Sequence, residues 1–461
     1  MTATAYKVKI PEWAIDVVES GRKPRKGRIA FDLRRDLEFN TDALQSYAFA
    51  RWEPVIYDAM VVAAVIEFAD RTVKRPTRGW ARRITLRIPV HDPARWTDPA
   101  VLNALHDATG FLTGDFWVLE FVKRVKAVPA PLQECLPFPQ STDAVIAYSD
   151  GMDSRAVAGL AGITMGEKLV RVRVGSKASA KPVANGKLEP FARVPYKFKR
   201  PKGKGKGNGE TSARSRGFKF ALISGLAAYL ADAGEILIPE SGQGAIGPAL
   251  VTVSHAYPDY RNHPLFTLRM ARFLKALLGK PVHFVFPRLW NTKGETLRAF
   301  SALPNSESWR DTKSCWRNSQ WSALNGKLRQ CGICAACMLR RMSVHAAELT
   351  EEPGIYICTD LTAASLDEAI HPDFTRRSDA FEQYAIAGAL HLDHMADMAG
   401  AEARPAVRRH AALTAAALGV SAEEAEKNLV GMLERHATEW NSFVDDLGAR
   451  SFVRKWTRKS Q

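Results

Sequence analysis

Between residues 140 and 345, short apolar runs alternate with longer amphipathic ones, and that rhythm restricts the fold more than any other feature. STDAVIAYS (141–149), KLVRVRVG (168–175), EILIPES (235–241) and PVHFVFP (281–287) read as short buried strands. SRAVAGLAGIT (154–164), FKFALISGLAAYLADAG (218–234), PLFTLRMARFLKALLG (264–279) and TKGETLRAFSAL (292–303) read as helices, the third ending at Gly279 where a helix-terminating glycine belongs. Strands that alternate with helices form a parallel sheet covered on both faces. Ligands of such sheets bind at the carboxyl ends of the strands. The expected fold is therefore α/β with a parallel-sheet core.

The flanks read differently. Residues 1–138 are expected to form an α+β accessory domain. RITLRIPV (83–90) alternates like a half-exposed strand, MVVAAVIEFA (60–69) and FWVLEFVKRV (116–125) are apolar runs of strand or buried-helix type, and DPAVLNALHDAT (98–109) opens a helix with an Asp. The proline-rich stretch 128–139 reads as a linker. Residues 346–461 are expected to be a helical C-terminal domain, because AEEAEKNLVGMLERHATEWNSFVDDL (422–447) carries helical periodicity. With 461 residues, a division at 138 and 345 into three domains is of ordinary size. No apolar run reaches the ~18 residues of a membrane span, and MTATAYKVKIPEW lacks the apolar core of a secretory signal, so no membrane partner is expected and the cytoplasm is the expected location.

The net charge of +16 is concentrated in one stretch: residues 177–216 hold twelve Lys and Arg against two Glu. Its centre, KRPKGKGKGNGE, is too poor in apolar groups to offset its own ordering entropy. It reads as a loop inserted in a folded domain. A solvated loop without a partner and a clamp over phosphate or nucleic acid are both compatible with that composition.

Two local patterns carry chemistry. Ser149-Asp150-Gly151-Met152-Asp153-Ser154 follows a strand and opens a helix. Such a turn aims backbone N–H groups and a helix N-terminus at one point, which suits phosphate. The two serines add hydroxyl donors, and Asp153 can hold the turn or help to position magnesium. Ser and Asp also cap helices in turns that bind nothing. The second pattern is Cys315, Cys331, Cys334 and Cys337. Four thiolates suit tetrahedral zinc, with an iron–sulfur cluster as the other soft-ligand option, and the two short spacings let one loop supply three ligands. A disulfide framework is not expected in a long chain without a secretory signal. Cys135 and Cys358 stand apart and read as ordinary buried thiols.

The hexapeptide resembles the SGGxDS motif of PP-loop ATP pyrophosphatases, with Asp150 where the family has glycine. That substitution sets a carboxylate beside the expected pyrophosphate site, unfavourable unless it turns away or meets a cation. The segment SCW…CGICAACMLRR, closing on Arg340, is similar to the zinc segment of QueC, the 7-cyano-7-deazaguanine synthase family. Tyr257-Pro258-Asp259-Tyr260-Arg261 looks like that family's YPDCR motif with Tyr260 in place of the cysteine, and Thr292-Lys293-Gly294-Glu295 looks like its TKxE stretch. Arg214 or Arg216 stands near the family's arginine ahead of a sheet-packing helix. The likeness covers about 140–345. The longer architecture is similar to the QatC family of QueC-like proteins in Qat anti-phage defence systems.

This resemblance implies a PP-loop core of the adenine nucleotide alpha hydrolase (HUP) type, with ATP, Mg2+ and Zn2+ as cofactors. Residues Ser149 to Ser154 would cradle pyrophosphate, with Ser149, Asp153, Ser154 and Lys293 as the catalytic set. Tyr257, Asp259 and Arg261 would hold the substrate, a carboxylate being apt for the adjacent N–H donors of a guanine-like edge. The thiolate-saturated zinc would shape the substrate wall and has no open position for Lewis-acid work. The implied reaction adenylates 7-carboxy-7-deazaguanine and converts it to an amide, then a nitrile, or joins it to an amine of a partner protein from a defence operon. A surface-turn ion pair is the plain alternative for Asp259 and Arg261, and an ordinary helix-start lysine for Lys293. Two other functions compete: a PP-loop tRNA-modifying enzyme, favoured by the basic stretch, and a non-catalytic nucleotide-binding subunit, permitted by Asp150.

Overall fold

A computed structural model of the chain describes residues 10–19, 21–38, 53–76, 79–126, 141–149, 151–173, 197–198, 210, 214–253, 257–304, 306–316 and 323–457. The proline-rich stretch with Cys135, Asp150 and most of the basic stretch lie outside the described residues. Contacts group the chain into two compact units that are interleaved in sequence: Met1–Ala147, Met165–Ile238 and Phe266–Val285 in one, Tyr148–Thr164, Pro239–Leu265 and Phe286–Gln461 in the other.

The first unit holds two four-stranded sheets. The first is built from β1 (Glu12–Val18), β2 (Ile29–Asp32), β4 (Arg83–Val90) and β5 (Phe116–Lys123) in the order β2-β1-β4-β5. Every pairing in it is parallel. That corrects the α+β expectation for the N-terminal region to α/β. Helices supply the long crossovers that parallel strands require: Pro54–Thr72 precedes β4, and Pro93–Thr97 with Pro99–Thr113 precedes β5. The alternation in RITLRIPV holds at its start and fails at its end, where Ile88, Pro89 and Val90 are all buried. A short antiparallel ladder joins β3 (Leu37–Glu38) to β8 (Lys197–Phe198).

The helix Pro54–Thr72 has no polar face: every residue from Val55 to Asp70 is buried. Its three acids are therefore paired. Asp58 accepts from the His91 backbone at 2.8 Å, Glu67 meets Lys219, and Asp70 accepts from Arg82 at 2.6 Å. Arg82 also donates to Asp115 at 2.6 and 3.1 Å, and Arg75 reaches both of these aspartates. Two arginines and two aspartates thus neutralise one another out of water. Removing one partner strands a buried charge, so Asp115→Ala is expected to cost about 3–5 kcal/mol, measured by urea unfolding followed through tryptophan fluorescence.

The second sheet contains β6 (Ala144–Ala147), β7 (Leu169–Val172), β9 (Glu235–Leu237) and β10 (His283–Val285) in the order β10-β9-β6-β7, all parallel. The helix Arg216–Leu230 packs on it. Gly225 of that helix faces Leu274 so closely that a Cβ would lie 2.4 Å from Leu274 Cδ1. Three of these strands, β6, β9 and β10, run into the second unit within two residues of their carboxyl ends.

The second unit is mainly helical. One core in it includes Cys331, Cys334, Cys337 and Met338 together with Leu392, Leu429, Leu433 and Trp440. The cysteine segment and the C-terminal helices Asp379–Asp397, Arg404–Leu418 and Ala422–Asp446 therefore share one apolar interior. Among the described residues, no helix is long and apolar enough to cross a membrane.

Candidate active site and metal centre

The turn after β6 is closed by its own serines. Ser154 Oγ lies 2.9 Å from the Ser149 carbonyl, 3.1 Å from the Gly151 carbonyl and 3.0 Å from Ser149 Oγ, and accepts from the Ser149 N–H at 3.1 Å. Ser149 Oγ accepts from the Gly151 N–H at 3.1 Å. Both hydroxyls, expected as donors to a ligand, are used inside the turn. They fix the backbone from which the helix Met152–Met165 starts. Gly151 suits this tight path, since a Cβ there would lie 3.1 Å from Ser149 Oγ.

Asp153, in the first turn of that helix, forms an ion pair with Lys293 through Oδ2. Its Oδ1 is buried and has no hydrogen-bond partner among the described residues. An unsatisfied buried carboxylate oxygen in the first turn of a helix is a donor of the kind that would suit a magnesium ion. Two residues of the expected catalytic set, 140 residues apart in sequence, are thus brought together.

Lys293 is the first residue of the helix Lys293–Ser301 and is itself buried. A capping box starts this helix: Thr292 Oγ1 accepts from the Glu295 N–H at 3.0 Å, and Glu295 Oε2 accepts from the Thr292 N–H at 2.8 Å. The Lys293 N–H donates to Gln243 Oε1 at 2.7 Å. Thr292 Oγ1 also meets Glu439, a residue of the C-terminal helix. Gly294 leaves room for that carboxylate, because a Cβ would lie 2.8 Å from Glu439 Oε1.

Burial pushes the Glu439 carboxyl up to about 7, aided by the nearby Glu295 and opposed by its bonds to Thr292 and Gln243. A carboxyl raised on folding gives stability that is full below its unfolded value and lost as pH rises through the folded one. The protein is therefore expected to lose stability between pH ~4.5 and ~7, and Glu439→Gln to lose less over that window. Urea midpoints at pH 5 and pH 8 for both proteins measure the difference.

Glu240 was not legible as a site residue. It follows the carboxyl end of the parallel strand β9 by three residues in sequence, and that position is the signal that could have found it. Asn262 donates to its Oε1 at 2.9 Å, and Gly244 makes room for its other oxygen, which would lie 2.2 Å from a Cβ there. Burial first and the Asp153 carboxylate second raise its carboxyl to about 8, against the opposing Lys293 and Arg261. Gln243, His436 and Glu439 were also missed; nothing local in their sequence marks them.

The YPDYR segment is self-engaged. Arg261 donates through Nε to both Asp259 oxygens, at 2.8 and 3.0 Å, and through its backbone N–H at 3.1 Å. The Asp259 N–H donates to the Pro248 carbonyl at 3.1 Å. Tyr257 and Tyr260 pack edge to face, with ring centroids 6.4 Å apart. Asp259 thus stands in an ion pair within its own turn, and a substrate edge would have to share it with Arg261.

The four expected cysteines converge. Their sulfurs all lie within 4.8 Å of one another, and Cys331 Sγ is 3.8 Å from Cys337 Sγ. Four sulfurs ~2.3 Å from one tetrahedral ion stand roughly 3.8 Å apart, so the donor set fits zinc. The Cys331 and Cys334 N–H groups each point at a neighbouring sulfur at 3.3 Å, which steadies thiolate charge. Gly332 needs its left-handed φ of +84°, and a Cβ there would meet the Cys358 carbonyl at 2.7 Å. Cys358 is buried outside this group. Arg340 is fully buried and ties the segment to its surroundings, donating to Glu351 at 2.7 Å and to Thr312 Oγ1 at 2.7 Å.

Residues 235–348 match the family model of the queuosine biosynthesis protein QueC. The match takes in Glu240, Gln243, Asp259, Arg261, Lys293 and all four cysteines, and leaves the Ser149–Ser154 turn and the C-terminal helices outside it. No curated protein matches the chain.

Proposed function

We propose that this protein is an ATP-using, AMP-forming enzyme of the PP-loop type that activates the carboxylate of a 7-deazaguanine-type substrate and transfers it to nitrogen. The pairing of Lys293, inside the QueC-like segment, with Asp153 of the serine-closed turn outside it carries this reading. In the proposed reaction a carboxylate oxygen attacks the α-phosphorus of ATP and pyrophosphate leaves. The nitrogen of an amine then attacks the acyl carbon, AMP departs, and the nitrogen loses a proton. In a second adenylation the amide oxygen attacks the α-phosphorus of ATP and pyrophosphate leaves; the nitrogen then gives up both its protons as AMP departs, which leaves the nitrile.

The backbone N–H groups around Gly151 and the start of the helix Met152–Met165 would face the pyrophosphate. Asp153 would hold magnesium, and Lys293 would neutralise charge on the leaving phosphates. Ser149 and Ser154 would act by fixing the turn. Glu240, with its carboxyl near 8, suits removal of the proton from the attacking amine. Tyr257, Asp259 and Arg261 would meet the substrate. Zinc, held by Cys315, Cys331, Cys334 and Cys337, would stiffen the segment that follows the YPDYR turn and Lys293 helix in sequence.

The nitrogen donor is ammonia or an amine of a partner protein; the N-terminal region and the C-terminal helices, both outside the QueC-like match, are what such a partner would dock on, as in an anti-phage defence role of the QatC kind. The test is incubation with ATP, magnesium, 7-carboxy-7-deazaguanine and ammonia. AMP release with conversion of the acid to amide or nitrile, followed by mass spectrometry, is expected. No AMP and no change in the deazapurine, with candidate protein amines also supplied, would overturn the reading.

A further inference from the structure

The C-terminal helix Ala422–Asp446 lies outside the QueC-like match, yet three of its side chains reach the support of Lys293. His436 is fully buried. Its Nε2 lies 2.9 Å from the Leu392 carbonyl, which can only accept, so Nε2 carries the hydrogen. Its Nδ1 is then a lone-pair acceptor, 2.8 Å from Gln243 Nε2. That contact fixes the Gln243 amide with its NH2 toward the imidazole and its oxygen toward the Lys293 N–H, at 2.7 Å. Were the amide reversed, an NH2 would face an N–H, and a buried donor would lose its acceptor. Burial holds the His436 imidazole down to about 4, so Nδ1 remains an acceptor at neutral pH. Glu439 takes the Thr292 hydroxyl one helical turn further along. Arg435, on the same helix, bonds the Trp290 carbonyl at 2.6 Å and the Glu295 carboxylate at 2.8 Å.

We propose that His436, acting through Gln243, is a positioning residue for Lys293, with Glu439 as its companion on Thr292, so that the C-terminal helix completes the proposed nucleotide site. This rests on the functional reading above for its catalytic consequence, but its geometric content stands apart from it. A chain trimmed to the QueC-like segment would keep Lys293 and lose the hydrogen-bonded support that fixes where its helix begins.

Two variants isolate the acceptor. His436→Asn can place Oδ1 where Nδ1 stands and still orient Gln243; His436→Leu cannot, and both lose the bond to the Leu392 carbonyl. Acetic anhydride labelling of the full chain, read on the Lys293 peptide by mass spectrometry, should rise several-fold in His436→Leu and stay near the parent in His436→Asn. AMP formation should fall in parallel, by about tenfold in kcat/KM for ATP in His436→Leu, with activity retained in His436→Asn. Equal change in both variants, or change in neither, would overturn the proposal. If His436→Leu does not fold, Gln243→Met, which removes the acceptor of the Lys293 N–H, must give the same rise in labelling, and no rise would overturn it. If the unaltered protein forms no AMP, the functional reading fails while the labelling contrast still decides the positioning.

Discussion

Cys337→Ser is expected to remove the bound metal and with it the folded state of the second unit. Four thiolates packed this closely repel one another unless a dication sits among them, and three of them are buried in the core shared with the C-terminal helices. Structural zinc contributes on the order of 10 kcal/mol to folding, comparable with the ~5–15 kcal/mol that holds a whole domain together. The loss should therefore exceed that of any single apolar truncation in the same core, which costs about 2–5 kcal/mol. Metal analysis of the purified protein should give one zinc per chain, and none for the variant. Thermal unfolding followed by circular dichroism should show the early transition of an unstable unit, and excess chelator should reproduce it in the parent. Cys358→Ser is the control, because that buried sulfur is outside the four-sulfur group. A Cys358→Ser protein that loses its metal while Cys337→Ser keeps it would refute the assignment.

Lys293→Met should abolish most AMP formation with little change in the fold. The ammonium is the cation paired with Asp153, and its removal leaves that carboxylate without a counter-charge beside the turn proposed for pyrophosphate. Loss of one preorganised charge from a water-poor site lowers turnover by roughly 10²–10³-fold, about 3–4 kcal/mol at the barrier. The effect should fall on kcat, since charge builds on the leaving pyrophosphate in the transition state. Steady-state AMP release, with a thermal melt to show that the chain is folded, makes the measurement. Asp153→Asn should lose activity that added magnesium partly restores if Asp153 serves as a metal ligand. A Lys293→Met protein with undiminished AMP release would remove Lys293 from the reaction altogether.

The sequence by itself determined what is local. A strand-helix rhythm implies parallel pairing, because a helix between two strands returns the chain to the same end of the sheet; β6, β7, β9 and β10 pair in that way. Cysteine spacing in CGICAAC was enough to bring three sulfurs to one point, since a loop and one helical turn fix their separation. The segment TKGETLRAFSAL read as a helix, and the chain forms one over Lys293–Ser301. The N-terminal region escaped local reading: its alternating strand suggested a sheet open on one face, but the strands pair in parallel in the order β2-β1-β4-β5, and the helix ahead of β4 is buried all round. Tertiary structure alone decided which charges meet. Asp153 and Lys293 come from turns 140 residues apart, and Gln243 and His436 from helices 193 residues apart. The same holds for Asp259, whose residue type suited a substrate edge but whose carboxylate is held by Arg261. Periodicity and capping act over one or two turns of chain, whereas the protonation and direction of a buried side chain depend on whatever the completed fold sets against it.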